Sequence, residues 1–323
     1  MTTNEVPVPS SARRRRIVRT GIAMLAVVLL IAGVGAGYEH LSARGDRQRY
    51  PMSGRMVDVG GHRLHLDCTG TGGHTVVLEA GLGESSAGWA TIQRQLSGNG
   101  RVCSYDRAGY AWSEPGQGPR TAGREADELS NLLQAAGEPG PYVFVAHSYG
   151  GHIVRLFTDR WPDRTLGLVL LDVSDENATA ALSAARLPLV LQFAAERTAA
   201  RIGAVRLFGD ALIPDNAPSL ARQAAPVVYG PKSLAAAGAE AAASLDSARQ
   251  VQATVHPGAW GDRTVIVIAA AGQPAAALTA QRRLVELSSR GRFVIADTTD
   301  HYIHYAQPDL VVRAAQEVRE GSR

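Results

Sequence analysis

Ser148 lies in the run Tyr142-Val143-Phe144-Val145-Ala146-His147-Ser148-Tyr149-Gly150-Gly151, where a strand-like apolar stretch meets a helical one. A serine hydroxyl is a weak nucleophile near neutral pH; it needs a base to take its proton and a third group to orient that base. A sharp strand-to-helix turn lifts such a hydroxyl clear of the backbone. Small residues two places before and after, here Ala146 and Gly150, let strand and helix approach. Ala146 adds one methyl where glycine is usual. The plain alternative is a serine that only caps a helix; the strand before it and the helix after it favour the catalytic reading. The serine needs a base, and a histidine is the usual one. Of nine histidines, His301, in Asp300-His301-Tyr302-Ile303-His304, follows the last strand-like run and precedes a helix. His304 lies one helical turn further on and should point elsewhere, and His147, beside the serine, reads as a packing or tuning group.

Those residues need a scaffold. Hydrophobic runs alternate with amphipathic ones, the pattern of a mostly parallel sheet flanked by helices. Strands are expected at Arg55–Val59, His62–Cys68, Thr75–Ala80, Arg101–Tyr105, Tyr142–Ala146, Leu166–Leu171, Thr264–Ala269 and Arg292–Ala296. Gly60-Gly61 suits a tight hairpin, so the sheet should start antiparallel. Helices are expected at Ala87–Leu96, Thr121–Ala136, Gly150–Arg160, Ala280–Ser289 and Pro308–Val318. Residues 174–258 break the alternation: they are rich in Ala and Leu, carry five prolines from Pro188 to Pro231, and show no strand signal. They read as a helical lid inserted after strand six, over the carboxyl ends of the strands where open α/β sheets bind ligands. High-propensity filler would explain the alanines but not the location. The core is then 55–173 and 259–323.

The first fifty residues belong to another environment. Eight arginines (13–16, 19, 44, 47 and 49) face Glu5, Glu39 and Asp46, a net +5. The whole chain is +3, so the remaining 273 residues sum to −2. The basic pI therefore comes from the N-terminal segment and is no argument for nucleic-acid binding. Gly21 to Tyr38 runs for 18 residues without a charge, close to what a helix needs to cross about 30 Å of hydrocarbon. The expected layout is a basic cytoplasmic tail (1–16), a transmembrane signal-anchor (17–38) and a linker (39–54). Arginines on the N-terminal flank orient the rest outside. The alternative is a cleaved signal peptide, although the apolar run exceeds the ~7–15 residues of a usual h-region. Either reading exports the domain.

Tyr105-Asp106-Arg107-Ala108-Gly109-Tyr110-Ala111-Trp112-Ser113 closely resembles the "YDRAGYGWS" segment of α/β-hydrolase family members, with Ala111 where a glycine is usual. The resemblance covers about residues 55–172 and 264–318. It implies an α/β-hydrolase fold with an eight-stranded, mostly parallel sheet, and it places the catalytic histidine at His301. The segment itself should tie its turn to the serine elbow. Most relatives carry the orienting acid after strand seven, but Thr264 to Pro274 holds no Asp or Glu, and the next acid is Glu286. The family's other placement, the end of strand six, points to Asp172, with Asp175 as the second choice. Asp297 and Asp300 would have to fold back. The oxyanion hole is expected from the backbone N–H groups of Leu82 and Tyr149; Ala80 stands where many relatives have His. In this fold strand two runs antiparallel to strand four, which implies a Cys68–Cys103 disulfide in an exported domain.

No zinc-protease motif, Cys/His cluster or phosphate loop is present in the sequence, so no metal and no cofactor are expected. The resemblance implies a serine hydrolase, foremost a carboxylic-ester hydrolase acting through an acyl-enzyme on a small apolar ester. Proline-selective peptidase and haloperoxidase-like activities share the apparatus. Epoxide hydrolase and dehalogenase are disfavoured, because members with those activities carry Asp at the position of Ser148. From another class, a degenerate membrane-tethered binding module remains open. The expected partners are a small-molecule substrate and the membrane, with no nucleic acid.

Overall fold

The apolar runs pair into one eight-stranded sheet: β1 Arg55–Asp58, β2 Arg63–Thr69, β3 Val76–Glu79, β4 Val102–Tyr105, β5 Tyr142–His147, β6 Thr165–Leu171, β7 Thr264–Ala269 and β8 Arg290–Ile295. Their order is β1-β2-β4-β3-β5-β6-β7-β8. β2 is antiparallel to β1 and β4, and every other pairing is parallel. The computed structural model describes residues 11–177, 183–209, 213–254 and 256–321. Residues 1–10 of the expected basic tail, and 178–182, 210–212 and 255 of the expected lid, lie outside the described residues.

The helices are α1 Ser11–Arg49, α2 Ala90–Ser97, α3 Ala122–Ala135, α4 Gly150–Arg160, α5 Ser183–Arg201, α6 Ala204–Phe208, α7 Ser219–Gln223, α8 Ala225–Val228, α9 Pro231–Thr254, α10 Ala275–Arg283, α11 Ile303–Ala306 and α12 Pro308–Glu320. The central strands read as unbroken apolar runs because both their faces are covered. Val77, Phe144, Leu168 and Val267 pack with α3 and α4 through Leu129, Ile153 and Phe157. Their neighbours along the strands, Val76, Val145, Val169 and Ile266, pack with α2 and α12 through Ile92, Leu96, Val311 and Val318. The period-two alternation of the strand thus builds two cores from one sheet.

Gly60 and Gly61 both take positive φ, at 98° and 96°, and Val59 N donates to His62 O at 3.0 Å, closing the β1–β2 hairpin. Cys68 and Cys103 are register partners in the β2–β4 ladder, with Cα atoms 4.0 Å apart, and are joined by a disulfide.

Three departures from expectation have a visible physical cause. The N-terminal helix does not stop near Tyr38: residues 39–49, expected as linker, continue α1. Glu39 and Asp46, two turns apart on that extension, both pair with Arg206 and are buried, so tertiary ion pairs hold a stretch whose polarity alone suggested a linker. Second, the helix expected at 280–289 starts at Ala275, directly after Pro274, and ends in a 3₁₀ turn, Leu284–Leu287. Proline's fixed φ favours that earlier start. Third, β8 begins at Arg290, two residues early, because it pairs with Thr264 at the start of β7.

Helices α5–α9 occupy the interval between β6 and β7. α9 crosses above the serine turn: Ser247 Oγ lies 3.3 Å from the Tyr149 hydroxyl, and Ser233 Oγ accepts from Ala111 N at 3.0 Å.

Candidate active site

At the end of β5 the chain turns within one residue into α4. Ser148 takes φ +50°, in the left-handed region that side chains rarely enter. The turn is held by Ser148 N donating to Leu171 O at 3.0 Å and Gly151 N donating to Ser148 O at 3.1 Å. Gly150 has no room for a side chain: a Cβ there would stand 2.7 Å from the Ala80 carbonyl oxygen. Backbone strain and close packing together aim the serine hydroxyl away from the sheet.

Ser148 Oγ lies 3.0 Å from His301 Nε2, and His301 Nδ1 lies 2.6 Å from Asp172 Oδ2. Asp172 follows β6 directly and also takes a positive φ, +45°, with its N–H donating to Ile268 O at 2.8 Å. Its second oxygen accepts from Ala270 N at 3.3 Å, from Gln281 Nε2 at 2.8 Å, and from the Gln273 amide. Burial alone pushes this carboxyl up, but the hydrogen bonds from His301 and Gln281 outweigh it, and the pKa falls below its ordinary value. Gln273 sits in the strand-seven loop where an acid was sought. The loop supplies an amide donor to Asp172 rather than a carboxylate.

The rival residues lie elsewhere. Asp175 stands close enough to Arg155 to favour its charged form. Asp300 accepts from Tyr302 N at 2.8 Å and Asn216 Nδ2 at 2.7 Å, and Asp297 meets Gln307 through its backbone. His304 is buried, stacked on Trp89 at 4.4 Å between ring centres, and faces Glu84 at 3.4 Å. Burial pushes its pKa down to about 4, so it is neutral near pH 7.

His147 does more than pack. Its Nδ1 lies 2.6 Å from Glu84 Oε2 and its Nε2 2.9 Å from the His301 carbonyl oxygen. Both neighbours accept, so the ring satisfies both only as a doubly protonated donor. Burial pulls its pKa down, yet Glu84 more than offsets that and the net shift is upward. Glu84 moves the opposite way: burial raises it, His147 and His304 lower it, and it ends well below the carboxylate range. This ion pair ties the loop carrying His301 to the loop after β3.

That second loop carries Leu82. Glu84 Oε2 accepts from Gly81 N at 2.6 Å, and Arg107 donates to the carbonyl oxygens of Ala80 at 2.6 Å and Gly81 at 2.8 Å. In a trans peptide the C=O and the next N–H point opposite ways. Tying the Gly81 carbonyl to Arg107 therefore turns the Leu82 N–H to the other side of the loop. Arg107 is itself clamped between Glu79 at 2.9 Å and Glu240 of α9 at 2.8 Å. Burial, against the pull of Arg107, raises Glu79 to about 7. The Tyr149 N–H stands at the N-terminal end of α4, where the helix dipole favours negative charge.

The arrangement can pass a proton from Ser148 Oγ to His301 Nε2 while Asp172 balances the imidazolium. Gln273, Gln281, Glu84 and the Glu79–Arg107–Glu240 clamp were not foreseen from the sequence. Only Gln273 left a signal there, as the polar residue in a loop lacking an acid. Among the described residues, one group beyond the cysteine pair gathers metal-ligand types: Glu84, His147 and His304. It is fully buried, and the Glu84–His147 bond already occupies its centre.

A family model described as the alpha/beta hydrolase family matches residues 76–314. The uncharacterized protein YqjL of Bacillus subtilis is 39% identical over 103 residues, 32% of this chain and 41% of that protein. The chain spans less than half the length of the curated relatives it matches. Among solved structures, a thermophilic esterase from Thermogutta terrifontis superposes with a TM-score of 0.62 at 20% identity, covering 84% of this chain and 99% of that one. The Cif epoxide hydrolase of Acinetobacter nosocomialis gives a TM-score of 0.70 at 16% identity, covering 89% and 96%. At such identities the likeness is one of fold.

Proposed function

The chain belongs to the alpha/beta hydrolase family, and from that premise we propose that it is a membrane-anchored, extracytoplasmic serine hydrolase that cleaves carboxylic esters. The observation carrying this reading is the relay of Ser148 Oγ, His301 Nε2 and Nδ1, and Asp172 Oδ2, at 3.0 and 2.6 Å. A serine on this turn is a nucleophile for acyl carbons. Its proton passes to His301 Nε2 as Oγ bonds to the ester carbonyl carbon. The carbonyl oxygen becomes an oxyanion held by the N–H groups of Leu82 and Tyr149. Collapse expels the alcohol, which takes the proton back from His301 and leaves an acyl-Ser148 ester. Water then repeats the sequence, giving its proton to His301, which returns it to Ser148 Oγ as the acid is released. His301 is 48% exposed at its side chain, so water has a path to the acyl-enzyme.

The anchor is supported by α1, which contains an 18-residue window of mean hydropathy 2.4, and by the arginines at its N-terminal flank. An extracytoplasmic domain also suits the Cys68–Cys103 disulfide.

A fluorophosphonate probe tests the enzyme reading on the full-length protein in detergent. Wild type should label and hydrolyse a p-nitrophenyl ester, and Ser148→Ala should do neither. Failure of wild type to label, or equal labelling of Ser148→Ala, overturns it and leaves the binding module.

A further inference from the structure

With α1 read as a membrane anchor, its join to the helical insertion sets the depth of part of that insertion. The uncharged run of α1 ends at Tyr38, so Gly35 lies within its last turn, about 4.5 Å inside that end at 1.5 Å per residue. The insertion meets α1 there. A Cβ at Gly35 would overlap the Ile202 carbonyl oxygen, and one at Gly203 would stand 3.1 Å from the Gly35 carbonyl oxygen and 3.5 Å from the Tyr38 ring. Backbone therefore lies against backbone at the level where hydrocarbon gives way to headgroups. One and three turns further along α1, Arg206 grips Glu39 at 2.8 Å and Asp46 at 2.7 Å with all three side chains largely buried, fixing α6 in place. α6 is five residues long, so Leu207 and Phe208 lie within about 6 Å of Ala204. The interfacial zone of each leaflet is about 5–7 Å thick. The Leu207 and Phe208 side chains are 65% and 73% exposed, and Ile202 is 38% exposed.

We propose that Ile202, Leu207 and Phe208 dock into the boundary between headgroups and acyl chains of the outer leaflet, so that the helical insertion is itself a membrane-bound element. The partner is a lipid bilayer. The argument is continuity with a membrane helix: large apolar side chains rigidly joined to a span at interfacial depth meet lipid rather than water. The proposal rests on the anchor reading above.

The test uses full-length protein in vesicles of phosphatidylethanolamine and phosphatidylglycerol. The two native cysteines are disulfide-bonded, so single added cysteines can carry an environment-sensitive fluorophore. Phe208→Cys reports the insertion, Ile31→Cys reports α1, and Asn99→Cys reports the opposite end of the sheet. Leu207→Cys repeats the measurement should Phe208→Cys not fold. Lipids with a nitroxide high on the acyl chain should quench the label at 208 and blue-shifted emission should accompany it, while the label at 99 is quenched only by aqueous iodide. A label at 208 that behaves like the one at 99, while the label at 31 meets lipid, overturns the docking and leaves the anchor intact. A label at 31 that also escapes membrane quenching overturns both.

Discussion

In the proposed relay Asp172 holds the deciding position, because His301 Nδ1 faces this carboxylate and the strand-seven loop holds no acid. Its left-handed backbone turns the side chain across the neighbouring strand end to His301. The amides of Gln273, Gln281 and Ala270 then satisfy its other oxygen. Those hydrogen bonds favour the ionised carboxylate, the form that can balance an imidazolium. Replacing it by an amide would keep the shape but remove the charge and favour the wrong imidazole tautomer, a change that elsewhere lowers turnover by about 10⁴-fold. Asp172→Asn should therefore lower kcat/KM on a p-nitrophenyl ester by about 10³–10⁴-fold, mainly in kcat. Asp175→Asn, beside Arg155, should stay within about threefold, as a substitution away from the reacting groups. Near-full activity in Asp172→Asn would overturn the assignment. Ser148, His301 and Asp172 were legible in the sequence because each follows a recognisable strand, and a strand end dictates where its side chain emerges. Gln273, Gln281 and Glu84 were not. They satisfy buried charges contributed by distant segments, and no local pattern records that Gln281 lies beside a residue 109 positions earlier.

Elements were legible to the degree that their periodicity owed nothing to tertiary partners. All eight strands form where alternating or unbroken apolar runs stand, and the β1–β2 turn follows from two consecutive glycines. The errors fall where a tertiary contact overrides local preference, as when Arg206 holds residues 39–49 in the helix. Ala111 shows the same tension at a single position: it takes φ +34° where the family segment has glycine, and its N–H and C=O are held by Ser233 and Lys232 of α9. The disulfide belongs to this scale because the β2–β4 register alone brings Cys68 opposite Cys103. It closes a loop with a sequence separation of 35, which in the chain-entropy account is worth about 4 kcal/mol. Cys68→Ala/Cys103→Ala should lose about 2–4 kcal/mol in denaturant unfolding of the detergent-solubilised protein. Dithiothreitol should lower wild type toward the same midpoint and leave the double variant unmoved. A double variant as stable as wild type would mean that the ladder needs no cross-link.

On the scale of the whole molecule, charge and shape divide the chain at one place. Residues 1–50 carry +5 and the rest −2, and the boundary between them is where α1 meets α5 and α6. If the anchor were only a tether, cutting its contact with the insertion would change nothing but location. The structure argues otherwise, because the Gly35 contact and the Arg206 ion pairs make the insertion and α1 one packed unit, while α9 joins that unit to Arg107 beneath the Leu82 loop. Gly35→Leu tests the coupling without making the span less apolar, since leucine there must displace the Ile202 carbonyl. Amide hydrogen exchange across 183–208 should then quicken by about tenfold or more, the effect of losing about 1.4 kcal/mol of local stability. Exchange in β5, β6 and β7 should hold, because those strands draw their protection from the two cores of the sheet. Arg206→Gln should loosen the same helices by leaving Glu39 and Asp46 buried without their cation. Unchanged exchange across 183–208 in both variants would show that the insertion stands on the sheet alone. Loosening confined to that stretch would show that α1 and the insertion are coupled through this contact.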